Sequence, residues 1–372
     1  MEISRKNVFI IAGATIASVI GSGFATGQEV LQFYSSYGMW SFGVAIVSFF
    51  GFYAFIYYLM KAGFDHKDDP EFNHYSYFLG KTGGHVYAVL DSLALLFTVT
   101  VLISGGGATL HEYFGINIRI ACAIMAVSQL IAYLSGFDRL TGLISKAGPV
   151  IIVFLIAVGL YSVIKDFGNF ADINECSEAL YHRRPARSFF MSGILYTALN
   201  FFPVSSYFVK LGKKAENIKE LKLGTLSGVL FITAALIIVS TSILLNGKNT
   251  ASLEIPVLYN ARRIGYIFAG IFSVFLVAGI FSSCTTIMWS FCSKLAPGDR
   301  IMNFFCAGAV TVFGFIMSFY SFGTLISKVY PVIGYAGIPF LLCVFIKAYK
   351  GRNLKREPSC DTLSVEREDT EK

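Results

Sequence analysis

Two groups of residues inside otherwise apolar runs have the types and spacing to do chemistry. The first is the stretch ASVIGSGFATGQEV, residues 17–30, which carries Gly21, Ser22, Gly23, Gly27, Gln28 and Glu29. Glycine weakens a helix by about 1 kcal/mol relative to alanine, and an ionisable group in hydrocarbon costs about 2.5 kcal/mol or more. Unwound backbone at membrane depth is tolerated only where it is buried in protein or lines a cavity. Glycines let such backbone approach a ligand closely. A half-helix starting near Phe24 would direct its positive end at a carboxylate. The second group lies in SGILYTALNFFPVSSYF, with Asn200 and Pro203 near the middle. Pro203 removes a backbone donor and clashes with the carbonyl four residues back, at about 3 kcal/mol in a helix interior. Matched interruptions in two hydrophobic segments point to a substrate site at the bilayer midplane. A packing face of small residues is the competing reading of the glycines. Glu29 and Pro203 are the expected gating residues, with an outer structural contact as the alternative for Glu29.

Other polar residues sit in apolar runs. Asp91 and Lys328 lie about two turns into theirs, as parts of an ion path, as interfacial caps or as members of local pairs. Thr98, Thr100 and the run Ser104-Gly105-Gly106-Gly107 share a third run, where the glycines read as close helix packing.

These residues must be positioned by membrane helices. Of 372 residues, 55% are hydrophobic, 16% aromatic and 14% charged, against roughly 25% charged in a soluble domain. Met1 to Asn7, with Arg5 and Lys6, leads into an apolar run longer than a signal-peptide core and without an Ala-x-Ala site, so it is expected to be retained as the first span. Runs of about the 20 residues that a bilayer requires lie near 8–37, 39–61, 85–110, 117–135, 142–165, 188–209, 222–245, 266–293, 301–320 and 322–346. The fold class is therefore an all-α polytopic membrane protein with ten transmembrane helices. Lys and Arg loop asymmetry favours both ends in the cytoplasm, with Arg183, Arg184 and Arg187 against it. The organisation expected is a cytoplasmic N-terminus 1–7, a first five-helix repeat 8–165, a connecting loop 166–187, a second repeat 188–346 and a cytoplasmic, disordered tail 347–372. An odd number of spans per half inverts the second repeat relative to the first.

The net charge of +7 is read as topology, and no basic-aromatic platform for nucleic acid is present. Seven cysteines, without a C-x-x-C pair, read as packing residues. The chain has no G-x-S-x-G, H-E-x-x-H or phosphate-loop motif, so an enzyme is not expected and no cofactor is called for. The segment LEIPVLYNARRIGY, residues 253–266, has apolar residues at helical spacing and reads as a lid helix over an outer vestibule.

The Gly-Ser-Gly break, the Asn-Phe-Phe-Pro break and the ten-span count resemble the amino acid, polyamine and organocation transporter superfamily, with its five-plus-five inverted-repeat fold broken in helices one and six. GSGFATGQE is most similar to the YkvI-type bacterial membrane proteins, classed with amino acid permeases. The resemblance covers roughly residues 5–346. It implies that Gly21, Ser22, Gly23 and Phe24 match the break that binds a substrate carboxylate. Thr197, Asn200, Phe201 and Phe202 match the second break, where an aromatic commonly covers the substrate, although Asn200 and Pro203 depart from its usual glycines. For coupling, the resemblance implies two alternatives. A sodium ion would sit between the carbonyls of Ala17 and Ile20 and the hydroxyls of Ser282 and Ser283, with Thr285 and Thr286 adjacent. Lys146 resembles the lysine that replaces that ion in proton-coupled relatives.

The resulting expectation is a multi-pass cell-membrane secondary transporter of an amino acid or similar zwitterion, working by alternating access and driven by sodium or protons. Its partners would be the lipid bilayer and a small amino acid-like molecule, with oligomeric state open. The alternative is a transporter-like receptor that binds ligand without net flux.

Overall fold

The computed structural model describes residues 3–135, 147–295 and 299–354, and among them every regular element is helical. Side chains of the asparagine, serine and aspartate type set where the helices begin. Asn73, Asn117, Ser188 and Asn217 accept from the backbone N–H of Ser76, Arg119, Met191 and Lys219 at 3.1, 3.0, 3.2 and 2.9 Å. Asp299 accepts from Ile301 and Met302 at 2.9 and 3.1 Å. Each cap satisfies donors that a helix start leaves open.

Among the described residues five continuous helices are long and apolar enough to cross a bilayer: Ser35–Asp65, His74–Phe114, Ile218–Leu244, Tyr266–Leu295 and Phe322–Lys350. Ala147–Lys165, Ile118–Leu134 and Arg300–Met317 are apolar and shorter. Two further segments are broken: Arg5–Val19, Ser22–Thr26 and Gln28–Phe33 form span one, and Phe189–Phe201 with Ser205–Lys213 form span six. Together these helices occupy the ten apolar runs. Span three begins earlier than its apolar run, at His74, because Gly80 at φ 76° links an extra turn to the main helix. After span five the chain bends by 79° into a connecting segment that contains the helix Ile173–Leu180.

The packing repeats itself between the halves. Span one crosses span seven as span six crosses span two; spans three and four pair as do eight and nine; span three meets ten as span eight meets five. Spans three and eight, two and seven, and four and nine meet their own counterparts. This is the pattern of two five-helix units related by a two-fold axis, and it fits inverted repeats.

Glycine permits the closest of these crossings. A Cβ on Gly63 would lie 2.0 Å from the carbonyl oxygen of Val209, and one on Gly212 would lie 1.9 Å from that of Met60. On the other pair, a Cβ on Gly228 would lie 2.8 Å from Ala12 O and one on Gly224 2.9 Å from Val8 O. Backbone contact of this kind replaces the hydrophobic drive that is absent between helices in lipid. Gly212→Ala should therefore force spans two and six apart, lowering the melting temperature of the purified protein, whereas Gly308→Ala, where no atom lies within 4 Å of the new Cβ, should leave it nearly unchanged.

Candidate functional site

Span one stops at Ile20 and restarts at Ser22, with Gly21 extended at φ −98° and ψ −176°. Gly21 N–H turns back to Val19 O at 2.8 Å, while Ile20 N–H bonds Ile16 O at 3.3 Å. The carbonyl of Ala17, whose ordinary helical partner would be Gly21 N–H, is thereby passed over. A second interruption follows at Gly27, which adopts φ 85°, a left-handed conformation that favours glycine. In span six the break is 202–204, and Asn200 Nδ2 donates to Tyr196 O at 2.9 Å.

Both breaks face one cavity of about 440 Å³. Ala17, Ile20, Gly21, Ser22 and Glu29 line it from span one, Leu199, Asn200 and Pro203 from span six. Leu95, Thr98 and Leu102 of span three, Ser282, Ser283 and Thr286 of span eight, and Tyr330 of span ten complete it. A smaller space of about 150 Å³ adjoins it, bounded by Ala17, Ile20, Gly21, Ser22, Ser282 and Ser283 together with Ile151, Leu276 and Ile280. The four residues expected to hold an ion are thus brought together. Thr285 and Thr286 instead donate to Phe281 O and Ser282 O at 2.9 Å each, and Thr285 also donates to Gln129 Oε1 at 2.6 Å. Among the described residues no three of His, Cys, Asp and Glu gather as a metal cluster. The oxygens around the small space are hard donors that suit an alkali cation. Lys146 lies outside the described residues.

Other expected contacts fall elsewhere. Phe24 is fully buried beyond the break. Gly23 does not line the cavity, because a Cβ there would lie 1.9 Å from Glu29 Oε1 and 2.4 Å from its Cγ: the glycine makes room for the Glu29 side chain. Phe201 and Phe202 are fully buried in aromatic packing, Phe201 edge-on to Phe52 at 4.8 Å and Phe202 to Tyr87 at 5.6 Å. Neither covers the cavity in this conformation. Thr197 donates to Gly193 O at 2.8 Å and faces an apolar groove between spans two, six and ten. Sequence reasoning missed Tyr330 and Tyr196, which sit in apolar runs where an aromatic gives no distinguishing signal. Tyr196 donates to Glu29 Oε2 at 3.2 Å.

The side bearing the helix Pro256–Ile264 is closed. Val257 of the helix Pro256–Ile264 packs where a side chain on Gly27 would go, and Leu258 and Ala261 are fully buried beneath it. Glu112 accepts from Glu254 and Ile255 N–H at 2.8 and 3.2 Å, Glu254 accepts from Gly323 N–H, and Gln32 donates to Gly323 O at 3.0 Å. Arg263 grips Asp166 with both terminal nitrogens, the NH2 contact at 2.6 Å, and also donates to Asn246 at 2.8 Å. The cavity extends instead towards the side on which span one begins, through Ser18, Val19, Val204 and Ile287. Asp91 is paired with Lys294, joining spans three and eight, and Lys328 is on the exposed face of span ten.

Ten helices with spans one and six broken round a common cavity define the architecture of the inverted-repeat secondary transporters. The crystal structure of MhsT in complex with L-phenylalanine shares this fold, with a TM-score of 0.53 at 14% identity over 93% of this chain and 98% of that one. In sequence the chain is similar to two proteins of Bacillus subtilis strain 168. The uncharacterized membrane protein YkvI is 26% identical over 365 residues, 95% of this chain and 100% of YkvI; the uncharacterized protein YyaD is 24% identical over 336 residues, 89% of this chain and 94% of YyaD. No family model matches the sequence.

Two outcomes follow from the site. Gly23→Ala should expel the Glu29 side chain or overpack the core, destabilising the protein by about 1–3 kcal/mol, measured as a fall in melting temperature that Gly13→Ala, with open space around it, does not show. The hydrogen bonds from Arg263 hold the Asp166 carboxyl below its usual range against the opposing effect of burial. A depressed carboxylate stabilises the fold above the unfolded-state pKa of about 3.9 and loses that contribution as pH falls through its folded value. Asp166→Asn should therefore melt lower than the native protein at neutral pH, with the difference shrinking below pH of about 4.

Proposed function

We propose that this chain is a secondary active transporter of an amino acid or similar small zwitterion, working by alternating access in the cell membrane with both ends cytoplasmic. The observation that supports this reading most is the convergence of both helix breaks on one cavity closed on the lid side and extended towards the other. The fold shared with MhsT, described with L-phenylalanine bound, adds support for an amino acid as cargo. The space between Ala17, Ile20, Ser282 and Ser283 favours sodium over a proton as the coupling ion, and these residues, with the break residues Gly21, Ser22 and Asn200, are the proposed ion and substrate contacts. Spans one, two, six and seven would rock against spans three, four, eight and nine.

Reconstituted proteoliposomes loaded without sodium should accumulate radiolabelled amino acid when sodium is added outside. Ser282→Ala with Ser283→Ala should abolish sodium-driven accumulation while leaving a folded protein. Accumulation driven by a pH gradient alone would transfer coupling to Lys146, and ligand binding without any flux would favour the receptor reading.

A further inference from the structure

Among the described residues Glu29 is the single charged side chain lining the cavity, and its position has a chemical consequence for what the cavity accepts. It is 5% exposed, and no Lys, Arg or His forms an ion pair with it among the described residues. Its Oε2 accepts from Tyr196, and its Oε1 lies against Gly23. A carboxylate at membrane depth without a cation is costly unless it is neutralised or paired.

The remaining polar atoms are arranged in the same sense. Ser22 Oγ is 97% or more buried by residue and has no hydrogen-bond partner. One N–H of the Asn200 amide is donated to Tyr196 O, leaving the amide oxygen and the second N–H for a ligand. Gly21 N–H is taken by Val19 O, so one of the backbone donors expected to greet a ligand carboxylate is used within the chain. The cavity thus presents one negative charge together with hydroxyls and an amide that can turn acceptor oxygens towards a cation. An ammonium group supplies three donors and a positive charge. A ligand carboxylate would meet repulsion from the Glu29 carboxylate.

Resting on the transporter reading, we propose that the cavity recognises the positively charged amine of its ligand, with Glu29 as the counter-ion and Ser22 and Asn200 as further acceptors. The ligand's carboxylate is dispensable, so monoamines are ligands in their own right. This differs from the carboxylate-anchored binding that the family resemblance implies for Gly21 to Gly23. The apolar walls made by Leu95, Leu102, Leu199 and Ile287 take the hydrocarbon part of the amine.

The test is equilibrium binding to the purified full-length protein with matched probes: L-leucine, 3-methylbutylamine and 4-methylpentanoate, and the corresponding phenylalanine, 2-phenylethylamine and 3-phenylpropanoate set. The amines are expected to bind at least as tightly as the amino acids, and the acids not at all. Glu29→Gln should weaken amine binding by about tenfold or more, while Glu29→Asp, which keeps the charge, should preserve the order of amine over acid. If Glu29→Gln does not fold, the comparison of probes on the native protein and on Glu29→Asp decides the matter. Amino acids binding with amines excluded, or amine binding unchanged in Glu29→Gln, would overturn the proposal and leave the transporter reading standing. Amine binding without flux in proteoliposomes would keep the proposal and remove the transporter reading. No binding of any probe would overturn both.

Discussion

Backbone amides and carbonyls in a bilayer have no water to bond, and that constraint decides where this chain can afford to be irregular. Its two deepest interruptions, at Ile20–Gly21 and at 202–204, both face the interior, and each places unpaired or rerouted backbone beside the same cavity. Elsewhere several helix starts carry side-chain caps, and glycine at positive φ turns the chain at Gly27, Gly38, Gly80 and Gly115. The cavity is therefore the place where the protein can expose polar backbone without facing lipid.

Around that cavity the helices divide by the kind of contact they make. Spans one and seven, and spans two and six, touch backbone to backbone through Gly224, Gly228, Gly63 and Gly212. Ser4 N–H and the Asn7 amide both donate to Glu220, at 2.9 and 3.1 Å, tying the start of span one to span seven. On the other side Gln129 donates to Phe281 O at 3.0 Å and Asp91 pairs with Lys294, tying span four and span three to span eight. Each set is held by close packing or charge-assisted contacts. The seam between them holds the cavity together with the His74, Tyr75 and Ser205 hydrogen bonds, and the proposed rocking of one set against the other would run along it.

The same arrangement explains the composition of the first break. Gly27 bends the chain so that Glu29 lies back across Gly23, and Tyr196 of span six then reaches the carboxylate. Tyr196 is itself held by Tyr34, edge-on at 5.0 Å, and by Phe33 at 5.3 Å. An acidic side chain is thus kept in one position by aromatic neighbours that give it no opposing charge.

Much of this was legible from residue types. Apolar run length fixed membrane residence and the number of spans, because bilayer thickness sets helix length. Glycine and proline in the middle of runs one and six identified the breaks, since both residues are expensive inside helices. Hydroxyl-bearing Ser282 and Ser283 were named by resemblance and do meet Ala17 and Ile20 around a small space. What the linear chain did not reveal were contacts across helices: that Gly23 leaves room for the Glu29 side chain, that Phe201 and Phe202 turn into an aromatic core, and that Tyr330 lines the cavity. Local residue type determines whether a helix persists or breaks, because that depends on a residue and its neighbours within a turn or two. Which face of a broken helix meets the cavity depends on the rotation of each helix against several others, and only the packed bundle decides it.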